Sequence, residues 1–261
     1  MSQPFFVVGM GRSGSSYLRH LLNRHPQVAL TNESHILDVL SGLVDVYMVP
    51  VGDRDDRLEI MGVINPDYGP VILNLFRKHV GKFLDAFYKE CFPDKDFTHW
   101  GDKLPSVTAV GQFLDFYPHT RFVMLVRDPR DVVCSFMGFE KQRYGDETSR
   151  SELFTAEYQA RRWTEVYSGL LERIGSHHLV KYEAFVDDPE TTIRGIFDYL
   201  ELPHTAAVFE DIEMTEFHAG QRTASKSKST VGRWRTELSA EDLDVVQTHC
   251  GELMQTFGYL A

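Results

Sequence analysis

Short apolar runs alternate with amphipathic stretches along the whole chain. Phe5-Phe6-Val7-Val8 runs into Gly9-Met10-Gly11-Arg12-Ser13-Gly14, and residues 15–25 carry an apolar stripe before Pro26; that pattern predicts strand, tight loop, helix. A second short strand is expected over 28–30, ending at Thr31-Asn32-Glu33. Ile72, Phe76, Val80, Phe83 and Phe87 recur at helical spacing and predict a long amphipathic helix, ending near Cys91 and Pro93, with these five in the core. Residues 97–100 read as a strand leading into Gly101-Asp102-Lys103-Leu104-Pro105, and 121–126 as a buried strand followed by Arg127-Asp128-Pro129-Arg130-Asp131 and a helix. Further helices are expected over 151–174, 189–200 and, opened by a capping box at Ser239, through about 257, with a strand at 178–181.

Strands alternating with helices predict an α/β fold, a parallel sheet covered on both faces in three αβα layers. With no compositional break or repeat, residues 1–261 read as a single domain. The stretch 42–68, rich in Gly, Pro and Asp, reads as an irregular insertion, and 42–95 as the acceptor side. In open α/β sheets the ligand crevice lies at the carboxyl ends of the strands, where Glu33, Lys103 and Arg127 are all expected.

Lys and Arg number 27 against 38 Asp and Glu, a net charge of −11, which argues against nucleic acid or an anionic membrane as partner. Cys91, Cys134 and Cys250 are widely spaced and fit neither a disulfide framework nor a metal knuckle, so a reducing, cytoplasmic setting is the expectation. No apolar run approaches the ~18 residues of a membrane span. Against this acidic background Arg222, Lys226, Lys228, Arg233 and Arg235 fall within fourteen residues that hold no Asp or Glu. That local reversal of charge predicts an anion-binding loop over about 218–236.

Gly9-Met10-Gly11-Arg12-Ser13-Gly14-Ser15-Ser16 matches the nucleotide phosphate-loop pattern except that Ser15 stands where Lys belongs. The glycines let backbone N–H groups turn toward an anion, and the helix that follows aims its positive end there. Arg12 supplies a cation from within the loop, and Ser15 and Ser16 add hydroxyl donors. Such a set suits a nucleotide with one 5′ phosphate and a small transferable group better than ATP.

Arg12-Ser13-Gly14-Ser15-Ser16-Tyr17-Leu18 resembles the 5′-phosphosulfate loop of the sulfotransferases that use 3′-phosphoadenosine 5′-phosphosulfate (PAPS). Their second signature, an Arg at the end of a central strand and a Ser eight residues later, is matched by Arg127 and Ser135, and a Gly-Arg-Trp-Arg element by 232–235. The similarity runs from Pro4 to about Leu238 and is nearest to the bacterial and tyrosylprotein branch. It implies that Arg12, Ser13, Gly14, Ser15 and Ser16 hold the 5′ phosphosulfate and that Arg127, Ser135 and Arg233 hold the 3′ phosphate. It further implies that Tyr182 lies near the nucleotide and that Lys103, in the family's Asp-Lys-x-Pro element, stabilises the leaving group together with Arg12. Glu33, twenty-one residues after Arg12, matches the family's general base, and burial at the strand end is expected for it. His35 and His99 are the competing bases. Trp234 covers the adenine or closes the loop, while Asp128 and Asp131 orient Arg127 and Arg130.

The expected reaction moves a sulfuryl group from PAPS to an acceptor hydroxyl or amine and releases 3′,5′-ADP (PAP), without a metal. The acceptor class is left open among small molecule, carbohydrate, lipid and peptide, as is the oligomeric state. Two rival readings are a small-molecule kinase using ATP and Mg²⁺, against which Ser15 counts, and a catalytically silent nucleotide-binding protein, against which Glu33 and Lys103 count.

Overall fold

The structure is a computed structural model and describes residues 3–41, 69–104, 106–114, 117–144, 155–210 and 230–260. Five strands, β1 (Gln3–Gly9), β2 (Val28–Asn32), β3 (His99–Lys103), β4 (Arg121–Val126) and β5 (His178–Lys181), form one sheet in the order β2-β3-β1-β4-β5. Every pairing is parallel, so all carboxyl ends share one edge. The helices are α1 (Ser15–Leu22), α2 (Gly69–Cys91), α3 (Val107–Leu114), α4 (Pro129–Tyr144), α5 (Ala156–Arg173), α6 (Tyr182–Asp187), α7 (Pro189–Leu200), α8 (Ala206–Phe209), α9 (Trp234–Glu237) and α10 (Ala240–Thr256). Residues 36–41 are also helical.

Alternation along the strands divides the core into two layers. Phe6 and Val8 of β1, Trp100 of β3 and Phe122, Met124 and Val126 of β4 face one cluster, which α2, α3, α4, α5 and α10 cover. Phe5 and Val7, with Val28, Leu30, Val123, Leu125 and Val180, face the other, covered by α1, α6, α7 and α8. Gly101 lets β3 close on β1, since a Cβ there would stand 1.6 Å from the Phe5 carbonyl oxygen. The expected capping box holds: the Ser239 hydroxyl accepts from the Asp242 N–H at 3.0 Å, and the Asp242 carboxylate answers.

Three expectations are corrected. The third strand is His99–Lys103 rather than 97–100, because its register against β1 and β2 runs to Lys103. Helix α5 begins at Ala156, capped by the Thr155 side chain, not at 151. Of the five positions expected in the core of α2, Val80 is buried and Phe87 packs partly buried against the core, but Phe83 is 51% exposed, with Leu84 and Tyr88 buried instead; the side chains of Ile72 and Phe76 lie outside those described. The helix is turned so that Gly81 meets Tyr117, whose hydroxyl would lie 2.2 Å from a Cβ at that position, and Tyr88 stacks on Trp100 at 4.7 Å. The insertion at 42–68 and the basic residues Arg222, Lys226 and Lys228 lie outside the described residues, as does Pro105.

Candidate functional site

The sheet order sets the site. Across its carboxyl edge stand Glu33 after β2, Lys103 at the end of β3, the 10–14 loop after β1, Arg127 after β4 and Tyr182 after β5. Among the described residues, four of the five non-glycine residues with positive φ lie on this edge: Arg12 (67°), Glu33 (51°), His35 (56°) and Leu104 (55°). Such conformations cost roughly 1–2 kcal/mol each and gather where a structure holds functional groups in place.

The 10–14 loop closes onto α1 through Gly14, which is left-handed (φ 89°) and provides no side-chain cap. A Cβ at Gly14 would lie 2.5 Å from the Tyr182 ring, so that ring packs directly under the turn. No side chain caps the helix start, which presents its positive dipole end; the Tyr17 N–H is taken by the Gly14 carbonyl at 3.1 Å. Ser13 and Ser15 are buried at its base. The loop is anchored by Tyr167, a residue the sequence did not single out. Its hydroxyl donates to the Leu125 carbonyl at 2.7 Å and accepts from the Met10 N–H at 3.3 Å, and burial pushes it up to about 12.

Beside the loop, guanidiniums converge. Arg127 is 4% exposed; it donates to the Arg12 carbonyl at 2.7 Å and to the Thr230 carbonyl, and stacks 4.3 Å from the Tyr182 ring centroid. Its Nε is buried without a hydrogen-bond partner. The Arg12 Nε donates to the Ser135 hydroxyl at 3.1 Å, and its guanidinium lies 5.0 Å from the Phe139 ring. Burial lowers the Arg12 pKa, and the charges of Arg127 and Arg233 lower it further. The like charges of Arg127 and Arg233 bear on Arg12, and an anion beside Arg12 would offset them. Tyr182 bonds to Thr230 through hydroxyls 2.9 Å apart.

The remaining charges tie the chain from 230 onward to this cluster. Arg233 is 7% exposed and pairs with Glu237 at 2.7 Å. Asp128 orients Arg130, as expected, in a pair at 2.7 Å. Asp131 departs from expectation: it accepts from the backbone N–H of Gly232 at 2.7 Å and of Trp234 at 3.1 Å, fixing a loop rather than an arginine. Burial raises its pKa, against the pull of these bonds. The Trp234 ring, at the start of α9, carries Arg130 at 4.0 Å and Arg235 at 4.4 Å.

At the other end of the edge Lys103 and Glu33 meet. The Lys103 ammonium, on a side chain 3% exposed, donates to Glu33 Oε1. The Glu33 side chain is 46% exposed, which corrects the expected burial: the base candidate faces outward from a pocketed cation. His35 is exposed and paired with Asp38 at 3.1 Å. His99 is not brought to this group. It opens β3 at the amino edge, with Nε2 on the Leu200 carbonyl at 3.1 Å and Nδ1 on the Thr98 hydroxyl at 3.0 Å. Asp102, a second residue whose part sequence spacing did not reveal, lies buried beneath Glu33 and binds Ser34.

Among the described residues no helix is long and apolar enough to cross a membrane. The chain is 27% identical to nodulation protein NoeE of Sinorhizobium fredii over 97% of its own length and 65% of that protein's. It is 23% identical to protein-tyrosine sulfotransferase 1 of Danio rerio over 86% of its length and 60% of that protein's; it thus spans under two thirds of either relative. The sulfotransferase domain of the Synechococcus PCC 7002 olefin synthase superposes with a TM-score of 0.61, at 20% identity, over 100% of this chain and 96% of that one. Mouse sulfotransferase SULT7A1, solved with PAP, gives 0.59 at 12% identity over 99% and 89%. Those likenesses show a shared fold, and the profile of the sulfotransferase family matches residues 4–206, from the phosphate loop past Tyr182, so the chain belongs to the sulfotransferase family.

Proposed function

We propose that the protein transfers the sulfuryl group of PAPS to an acceptor hydroxyl or amine, with Glu33 as base. One observation carries this reading. A single sheet edge places the Glu33–Lys103 pair on β2 and β3 and the guanidinium cluster with Ser135 around β4, with the α1 start between them. From β3 to β4 is two strand spacings, about 10 Å, a span that suits a nucleotide carrying a reactive group at one end and a second phosphate at the other. The buried, unpartnered Nε of Arg127 and the like charges of Arg127 and Arg233 bearing on Arg12 fit a multiply charged phosphate there. The PAP in the SULT7A1 structure supports the same ligand class.

Bound PAPS would supply the electrophilic sulfur and leave as PAP. The Glu33 carboxylate, half exposed, is open to an incoming hydroxyl and takes its proton as the oxygen attacks. The Lys103 ammonium, buried and poised beside it, stabilises the negative charge left on the departing oxygen. The first-turn amides of α1, with Ser15 and Ser16, hold the 5′ phosphate in line. Arg127, Ser135 and Arg233 hold the 3′ phosphate, and Arg12, whose side chain reaches Ser135, bridges the two ends. Trp234 closes the loop over the site. The relatives' names point to peptide tyrosine or carbohydrate as acceptor classes.

Calorimetric titration with PAP, and separately with ATP plus Mg²⁺, tests the reading. Metal-free PAP binding at about micromolar Kd or tighter, with no ATP binding, is the expected result. ATP binding with Mg²⁺ and none of PAP would replace it with the kinase reading.

A further inference from the structure

We propose that Asp102 is a positioning residue that sets Glu33 against Lys103, an inference that rests on the reading of Glu33 as base. Glu33 and His35 both have positive φ, 51° and 56°, in a turn that contains no glycine. Left to itself such a turn relaxes toward ordinary backbone angles and carries the carboxylate away. Its C-terminal side is tied to the helix over 36–41, through the Val39 N–H on the His35 carbonyl at 2.9 Å and the Ile36 N–H on the Ser34 hydroxyl at 3.4 Å, while the Glu33 side chain is 46% exposed and the His35 ring turns outward to Asp38.

What holds the turn is underneath. Asp102 is 1% exposed; one oxygen joins the ends of β2 and β3 and the other holds the turn that follows β2. Oδ1 accepts from the Thr31 hydroxyl at 2.9 Å and from the Lys103 backbone N–H at 2.8 Å. Oδ2 accepts from the Ser34 N–H at 2.9 Å and from the Ser34 hydroxyl at 2.7 Å. Thr31 and Ser34 bracket Glu33, and Lys103 carries the ammonium that Glu33 meets. One carboxylate therefore fixes the turn that bears the base and the strand end that bears the cation. The Thr31 hydroxyl also lies 3.1 Å from the Gly101 carbonyl, so its one hydrogen is shared between two acceptors on β3. A carboxylate has the acceptor capacity for four donors, and an amide does not. In Asp102→Asn, with the amide nitrogen turned to Ser34, that residue's N–H faces another donor; with it turned the other way, the Lys103 N–H does.

Amide exchange and kinetics together test this. In Asp102→Asn the exchange of the Ser34 amide should quicken at least about 10-fold while α1 amides stay within about twofold of wild type. Turnover is read as PAP release from PAPS with a tyrosine-peptide amide or an N-acetylglucosamine oligosaccharide as acceptor probe. Asp102→Asn should lower kcat about 10- to 100-fold, with PAP affinity within about twofold, and should have a much smaller effect, about threefold or less, in a Glu33→Gln background, where only its hold on the Lys103 strand end remains. A purely structural Asp102 would lower turnover by the same factor in both backgrounds, or would weaken PAP binding in step with kcat. Either result, or an unchanged Ser34 exchange rate, overturns the proposal. Should Asp102→Asn fail to fold, Ser34→Ala removes one of the two bonds to Oδ2, and its smaller loss of kcat should vanish in the same background. Wild-type turnover in Glu33→Gln would overturn the base reading instead, and the Ser34 exchange rate would still report whether Asp102 holds the turn.

Discussion

Lys103 is buried and Glu33 half exposed; in the proposed reaction that difference in depth divides the work, with the ammonium facing charge that develops inside and the carboxylate open to what arrives from outside. Glu33→Gln keeps the shape and a hydrogen-bond acceptor for Lys103 but cannot take a proton. It should lower kcat at least about 100-fold while PAP affinity, measured by calorimetry, stays within about twofold. Arg127→Ala acts at the other end and should weaken PAP binding at least about 10-fold, since it removes a buried guanidinium from a charged acceptor. The melting temperature must be measured alongside, because Arg127 also holds the Arg12 and Thr230 carbonyls. Which residues reach the site was legible, since strand-end positions follow from the alternation of strands and helices. Their partners were not. Arg12 reaches Ser135, Asp131 takes backbone N–H groups, and Asp102 pins Ser34, because spacing fixes where a residue stands on the edge and leaves its side-chain rotamer to the neighbours.

At the scale of elements, hydrophobic periodicity located α2 and placed Val80 and Phe87 toward the core, but it missed the face at Phe83. The spacing of 72, 76, 80, 83 and 87 fits one helix face, yet 80, 84 and 88 fit another about as well, and the choice lies in tertiary contacts. Gly81 against Tyr117 and Tyr88 against Trp100 decide it. The energetic consequence is specific. Leu84→Ala should cost about 2–5 kcal/mol in denaturant unfolding, as for other fully buried leucines, whereas Phe83→Ser should stay within about 0.5 kcal/mol. Equal losses at the two positions would mean that Phe83 is buried, as the sequence pattern expects. The short helices α6, α8 and α9 escaped the pattern because four to six residues complete too few turns to show a period.

Over the whole molecule the parallel sheet separates two kinds of titratable group. Arginines crowd the carboxyl edge, while the amino edge carries histidines that hold the end of α7. His25 Nε2 lies 2.9 Å from the Pro203 carbonyl and its Nδ1 3.1 Å from the Gln27 N–H. His99 reaches the Leu200 carbonyl, and the His178 ring stacks 5.4 Å from that of Tyr199. For His25 the geometry demands the neutral ring: Nε2 donates, Nδ1 accepts, and a second proton would set a donor against the Gln27 N–H. Burial lowers the pKa of all three. The unfolded chain then binds more protons than the folded one below the ordinary histidine pKa of about 6.5, so stability rises with pH through that window and is lost as pH falls toward the folded-state values. A second effect opposes it: the net charge of −11 shrinks toward the pI of about 5.4, which relieves self-repulsion. A variant separates the two. His99→Gln offers the Leu200 carbonyl an amide donor that never charges, and it leaves the global charge titration almost unchanged. Between about pH 7.5 and 5.5 its melting temperature should fall less than that of wild type; an identical fall in both would remove His99 from the acid response and leave it to His25, His178 and the carboxylates.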